Sequence, residues 1–375
     1  NLAGILPIAH DGEFYYVAGA STASERADAA AGTRAVGGQR QITVLIDALP
    51  TPVDAPSNED AGDTRDLKRT LRLFFYKVTG QKLPSDTGLR RGDVDANGKV
   101  VYKPVTAAEV AGAQKVALMI HGITADTVWL AERVWPFVRD LAGYDLCLTY
   151  DYESFGTGIL ENGIALHESL TALGFGADDG KQIDIYAHSM GTQISRALVE
   201  ISGGAAYVDR VFMGGPPNAG SPLAKARKVV PWLGTVLVNQ TGAVPASMLA
   251  SWALNSFIER GAGLRDLDPA AEFYAQANDL HGATINTPYF VQAGDNSAEN
   301  VDWNRLYRSF MHLADMTLDA IFGGDNDIAV GLNSADVICG QRWPHTTYAQ
   351  LPLNHFRYFY SPEGQDLLRQ WLANG

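Results

Sequence analysis

Residues 183–200 read IDIYAHSMGTQISRALVE, and the pattern changes period in the middle. Ile183 to Tyr186 is an apolar, β-branched run suited to a buried strand, and from Gly191 onward apolar residues return at helical spacing. Ser189 falls at the junction, two residues from Ala187 on one side and from Gly191 on the other. On a sharp strand-to-helix turn a large side chain two positions from the serine would meet the opposing backbone, so small residues are needed at both places. Two readings follow: a nucleophile elbow that holds out a reactive hydroxyl, or a serine capping an ordinary helix. Ala187, where glycine is the usual residue of an elbow, keeps the smallest side chain that carries a Cβ.

Outward from this junction the chain alternates strand and helix. VALMIHG (116–122) is a short apolar run of the kind buried on both faces of a parallel sheet. A helical pattern follows from Thr127 to Leu141, then the strand DLCLTYDY (145–152), a helix from about Ile159 to Leu173, and the strand leading to Ser189. RVFMGG (210–215) and YFVQAGD (289–295) are two more such strands. The order predicts an α/β fold with a doubly wound, mostly parallel sheet over residues 112–375.

Residues 1–107 read differently, as a separate β-rich N-terminal domain. EFYYVAGA (13–20), QITVLIDAL (41–49) and TLRLFFYKVTG (70–80) are strand-like, and the acidic TPVDAPSNEDAGDTRD (51–66) between them is a solvated loop. In DVDANGKVVY (93–102), Asn97-Gly98 suits a type I′ turn between two short strands. Asp93, Asp95, Asn97 and Gly98 also match the first half of a calcium loop, but Pro104 stands where the twelfth position needs a bidentate acid, so the hairpin is preferred.

Charge and cysteine content narrow the function. The 375 residues carry 29 Lys plus Arg against 42 Asp plus Glu, a formal charge of −13 with no basic cluster, which argues against a nucleic-acid partner. Two cysteines, Cys147 and Cys339, make no disulfide framework, and no run has metal-ligand spacing. The chain opens on Asn1 without a basic-then-apolar leader, as a processed chain or a piece of a longer one would, and both cytoplasmic and secreted locations are compatible with it. From Val229 to Ile258 no charged residue occurs, yet Pro231, Pro245, Gly234 and Gly242 break the stretch into pieces too short to span a bilayer. Short helices covering something apolar are expected there, and no transmembrane segment.

A serine hydroxyl attacks only with a base to take its proton and an acid to orient that base. Setting aside the other six of the eight histidines leaves His345 and His355, and His355, between YAQLPL (348–353) and the C-terminal helix, lies where a loop can carry it over the strand ends and is the better base. For the acid, Asp325 and Asp327 lie in GGDNDIAVGLNSA (323–335), and Asp295 competes from the end of YFVQAGD. N–H donors for a developing oxyanion are expected from Met190, at the helix start, and from the turn His121-Gly122-Ile123.

Six motifs in order then carry a resemblance: HGI (121–123), AHSMG (187–191), GGPPNAGSPLA (214–224), DLDPAAEF (266–273), NDIAV (326–330) and NHFRYF (354–359). Together they resemble the lipase and esterase branch of the α/β-hydrolase superfamily, and are most similar to bacterial lipases with alanine in the elbow. The resemblance covers about residues 112–375. It implies Ser189 as nucleophile, His355 as base, Asp327 in preference to Asp295 as acid, and Ile123 and Met190 at the oxyanion hole. It also implies a substrate that is an acyl ester or lipid, and neither metal nor organic cofactor. The uncharged stretch falls where such proteins insert a helical cap, here about 217–287. Trp232, Leu233, Leu237, Met248 and Trp252 would line an acyl pocket and touch lipid transiently on opening, or else seal the cap to the core.

Overall fold

The computed structural model describes residues 8–10, 15–17, 87–95, 99–123, 127–154, 156–177, 179–221, 262–295, 327, 330–353, 355, 357–359 and 361–374. The strand runs expected at 41–49 and 70–80, the five cap residues Trp232, Leu233, Leu237, Met248 and Trp252, and Asp325 lie outside the described residues. Of the expected cap, 217–221 and 262–287 are described.

Eight strands form one sheet. In chain order they are β3 (Gly88–Val94), β4 (Val100–Lys103), β5 (Lys115–Ile120), β6 (Leu146–Asp151), β7 (Gln182–His188), β8 (Arg210–Gly214), β9 (Tyr289–Gly294) and β10 (Thr346–Leu351). Their spatial order is β10-β9-β8-β7-β5-β6-β3-β4, parallel from β10 to β6 and antiparallel beyond. A separate pair, β1 (Ile8–His10) and β2 (Tyr15–Val17), is antiparallel. The chain steps from β5 outward to β6, returns to β7 on the other side of β5, and proceeds to β10. That reversal leaves a crevice at the carboxyl ends of β5 and β7, the place where open α/β sheets bind ligands.

One expected boundary moves. Residues 88–103, expected in the N-terminal domain, belong to the large sheet: β3 pairs with β6 from Gly88↔Asp151 to Arg91↔Leu148, and β4 pairs with β3. The expected hairpin is present, with Val94 opposite Val100, while residues 96–98 at its tip lie outside the described residues. The Asp93 carboxylate takes Arg91 and Lys103, each at 2.7 Å, so it works as an ion-pair partner along the hairpin.

Alternation along β5 divides the interior. Val116, Leu118 and Ile120 face one core with Ile159, Leu166 and Leu170 of α3 (Ile159–Ala172) and Ile194, Ala197 and Leu198 of α4 (Met190–Arg196) and its wider continuation to Ile201. Ala117 and Met119 face the other, with Leu130, Val134 and Val138 of α2 (Thr127–Ala142) and Leu368 and Trp371 of α8 (Pro362–Asn374). Both faces of the strand are covered, which is why its sequence is apolar throughout. Four short α-helices lie elsewhere among the described residues: α1 (Ala107–Gly112), α5 (Ala262–Asp266), α6 (Glu272–Ala277) and α7 (Leu332–Ala335). Among the described residues no helix is long and apolar enough to cross a membrane.

One charged group pins α4. The Arg196 guanidinium and Glu200 carboxylate, both without solvent exposure, meet at 2.7 Å, and Tyr289 and Trp343 donate to the same carboxylate. Arg342 lies 3.8 Å from Glu200 and stacks over Trp343 at 5.0 Å. Glu200→Ala would leave two buried guanidinium groups without their counter-charge, and urea unfolding should read a loss of about 3–5 kcal/mol. A loss within about 0.5 kcal/mol would mean that water already compensates these charges.

Candidate active site

β7 ends at His188 and α4 begins at Met190, so a single residue makes the turn. That residue, Ser189, has φ 52° and ψ −124°, and it alone among the described non-glycine residues has positive φ. Such a conformation costs on the order of 1–3 kcal/mol and persists only where the surroundings enforce it. Here the Ser189 N–H donates to Gly214 O at 2.9 Å, and backbone packs tightly on the other side. A Cβ on Gly191 would run into the carbonyls of Ile120 and His121, and one on Gly122 would lie 2.8 Å from Ser189 Cβ. Glycine at 191 and at 122 is therefore a condition of the turn. Ala187, fully buried opposite Ile120 of β5, fits where the elbow usually has glycine.

His355 and Asp327 come together. His355 Nδ1 lies 2.8 Å from Asp327 Oδ2, and both side chains are buried. The carboxylate is held from the other side by the Val330 N–H, which donates to Oδ1 at 2.7 Å, while the Asp327 N–H donates to Val330 O at 3.1 Å. The His355 N–H donates to Asp327 O at 2.9 Å, so the two loops are joined by backbone as well. Tyr358 OH also donates to Asp327 Oδ2. Asp295 takes a different place: it follows β9, and its N–H donates to Leu351 O at 2.9 Å. Of the two described acids the structure pairs Asp327 with His355.

Two residues packed around this pair were not singled out from the sequence. Gly215, at φ 58°, allows the bend after β8: a Cβ there would lie 2.9 Å from His355 Nδ1 and 3.0 Å from Asp327 Oδ2. Ser189 is hydrogen-bonded to Gly214 and the histidine–aspartate pair packs on Gly215, so both sides meet at one dipeptide. The Gly-Gly after an apolar strand was the available signal. His188 is the second. Its Nε2–H donates to His355 O at 2.6 Å. The two imidazole rings lie 4.8 Å apart.

The turn after β5 is held with its carbonyls occupied. Tyr152 OH donates to His121 O at 2.7 Å, His121 Nδ1–H to Gly122 O at 2.7 Å, and Ser154 Oγ–H to Ile123 O at 2.7 Å. In a trans peptide the next N–H points opposite to the carbonyl, so the Ile123 N–H faces away from the His121 ring. Met190, fully buried, supplies the first N–H of α4. Among the described residues no three His, Cys, Asp or Glu side chains converge as metal ligands would.

Residues 92–373 match the family described as Domain of unknown function (DUF7379). The chain belongs to DUF7379. No curated protein matches this DUF7379 chain. Similar solved structures include the lipase BlEst2 of Bacillus licheniformis in its mature form, 18% identical, covering 70% of this chain and 93% of its own, with a TM-score of 0.40. The esterase RhEst1 from Rhodococcus sp. ECU1013 is 15% identical over 76% of this chain and 99% of its own, with a TM-score of 0.41. The type II thioesterase YbtT from the yersiniabactin NRPS/PKS biosynthetic pathway is 14% identical over 70% of this chain and 92% of its own, with a TM-score of 0.42.

His188 gives a test of this packing. Burial, with the neighbouring His355 imidazole, holds its pKa down at about 3. The unfolded imidazole binds a proton near its ordinary value of 6.5 and the folded one does not until about 3, so stability falls as pH drops through that window. His188→Gln keeps an N–H donor but cannot titrate. The stability difference between wild type and variant should therefore shift by up to about 1.4 kcal/mol per pH unit below 6.5, read from urea unfolding at pH 7, 6 and 5. Parallel curves would place His188 in contact with water in the folded state.

Proposed function

We propose that this DUF7379 chain is a serine hydrolase that cleaves carboxylic esters through an acyl-enzyme. The observation that carries the reading is the strained Ser189 at the reversal point of the sheet, with the His355–Asp327 pair packed on the same Gly214-Gly215 bend. A serine on this turn has its hydroxyl clear of helix and strand hydrogen bonding, and it makes no side-chain cap to α4.

The chemistry follows from the groups at hand. Ser189 Oγ attacks the acyl carbon while His355 Nε2 accepts its proton, and the carbonyl oxygen becomes an oxyanion received by the Ile123 and Met190 N–H groups. As the carbon–oxygen bond to the alcohol breaks, His355 returns the proton to the leaving oxygen. Water then attacks the acyl-serine, again deprotonated by His355, and the acid leaves as the proton returns to Ser189. Asp327 holds Nδ1–H of His355, so that Nε2 is the nitrogen free to accept a proton, and it stabilises the imidazolium that forms. The acyl chain would lie under the cap at 217–287, where Trp232, Leu233, Leu237, Met248 and Trp252 belong to the uncharged sequence and would meet lipid when the cap opens.

Ser189→Ala should lower turnover of p-nitrophenyl esters by about 10⁴-fold or more and abolish labelling by a fluorophosphonate probe. Asp327→Asn should cost on the order of 10⁴-fold in kcat by favouring the wrong imidazole tautomer, whereas Asp295→Asn should leave most of the activity. Undiminished ester cleavage by Ser189→Ala would refute the proposal, and a crippled Asp295→Asn beside an active Asp327→Asn would reassign the acid. A series of acyl chain lengths, with matched thioesters, would define the substrate class.

A further inference from the structure

Tyr358 belongs to none of the roles above, yet its phenol is built into the base–acid pair. The side chain is buried, at 1% exposure, and its hydroxyl donates to Asp327 Oδ2, the oxygen that also accepts from His355 Nδ1. Space for the phenol comes from two glycines at strand ends. A Cβ on Gly294, closing β9, would lie 2.6 Å from the Tyr358 hydroxyl oxygen and 2.9 Å from Asp327 Cβ. One on Gly215 would lie 2.6 Å from Tyr358 Cε2. Two independent strands thus lack side chains where the tyrosine reaches the acid.

The sharing of one oxygen has a chemical consequence. A carboxylate that already receives the Val330 N–H on Oδ1 and a phenol O–H on Oδ2 has less electron density for a third donor. Its attraction for the histidine proton is weaker in consequence, and so is its stabilisation of the imidazolium relative to the neutral ring. Burial keeps the phenol protonated, its pKa raised well above the ordinary tyrosine value, so it stays a donor at every working pH.

We infer that Tyr358 is a positioning residue that tunes the base through the acid: by donating to the oxygen that holds His355, it keeps the imidazole available as a base at lower pH than an unshared carboxylate would. This rests on the hydrolase reading for its kinetic consequence but not for its physical one. Among the described residues, the groups facing the pair include the His188 imidazole from β7, at 4.8 Å between ring centroids, and Tyr358 itself, with the Tyr348 phenol of β10 and His121 after β5 farther out. His188, with its depressed pKa, is neutral across the range of the test.

Tyr358→Phe keeps the ring and removes the donor. The acid limb of the kcat/KM profile should move up by roughly 0.5–1 pH unit, the equivalent of one hydrogen bond. The proton NMR resonance of the His355 Nδ1–H should move downfield, because the carboxylate, relieved of the phenol, takes that proton more strongly. Fluorotyrosine at position 358, a stronger donor in nearly the same shape, should move both readouts the opposite way, and it serves if the phenylalanine variant does not fold. A lower kcat with the acid limb and the resonance unmoved would overturn the inference and leave Tyr358 as packing alone. A wild-type protein that cleaves no ester would count against the hydrolase reading instead, and the resonance would still decide the role of Tyr358.

Discussion

The backbone at Ser189 is the constraint on which the rest of the site depends. Its left-handed conformation turns the chain from β7 into α4 within one residue, and the turn is tight enough that β5 presses directly against the start of the helix. Nothing in the local sequence favours that conformation for a serine. It is imposed by the Gly214 carbonyl on one side and by the absence of side chains at Gly122 and Gly191 on the other. Strain at one atom is thus offset by packing that runs across β5, β7 and β8, and the crevice at the reversal of strand order is where those strands can deliver it.

Legibility in the sequence followed burial. β5, β6, β7, β8 and β9 were readable because strands covered on both faces have to be apolar at every position, as KVALMI and LCLTYD are in all but one or two places. β3 was not assigned to this sheet because its sequence, GLRRGDV, is half polar. It lies near the edge, antiparallel to β6, where Arg91 pairs with Asp93 of the same strand and with Glu109 of α1.

At the candidate site the reactive residue types were legible and their supports were not. Ser189, His355 and Asp327 announce themselves by chemistry and by position at strand ends. Gly215, His188 and Tyr358 act by letting groups approach or by donating a single hydrogen bond, and apart from the Gly214-Gly215 pair after a strand nothing in their spacing signals that. His188 is instructive. The sequence shows it next to the serine, but what it bonds to, the backbone of a residue 167 positions away, exists only once the sheet has formed.

A second buried polar assembly extends the same logic away from the crevice. Asn218, in the loop after β8, receives Gln193 and Arg196 from α4 and Asn278 from beyond α6, and it donates to Ala335 O at the end of α7. Ser334 of α7 in turn donates to Gly220 O and accepts from the Ala219 N–H. Since α7 follows the Asp327–Val330 turn by one residue, these bonds tie the helix that follows Ser189 to the loop that carries Asp327. An apolar packing of equal volume could be as stable, because burying Arg196, Glu200 and Asn218 carries a large desolvation cost. What apolar contacts lack is direction. Hydrogen bonds of fixed length between α4, the loop at 215–221 and α7 limit sliding of one against another, and the proposed triad of Ser189, His355 and Asp327 would tolerate only about half an ångström of such sliding.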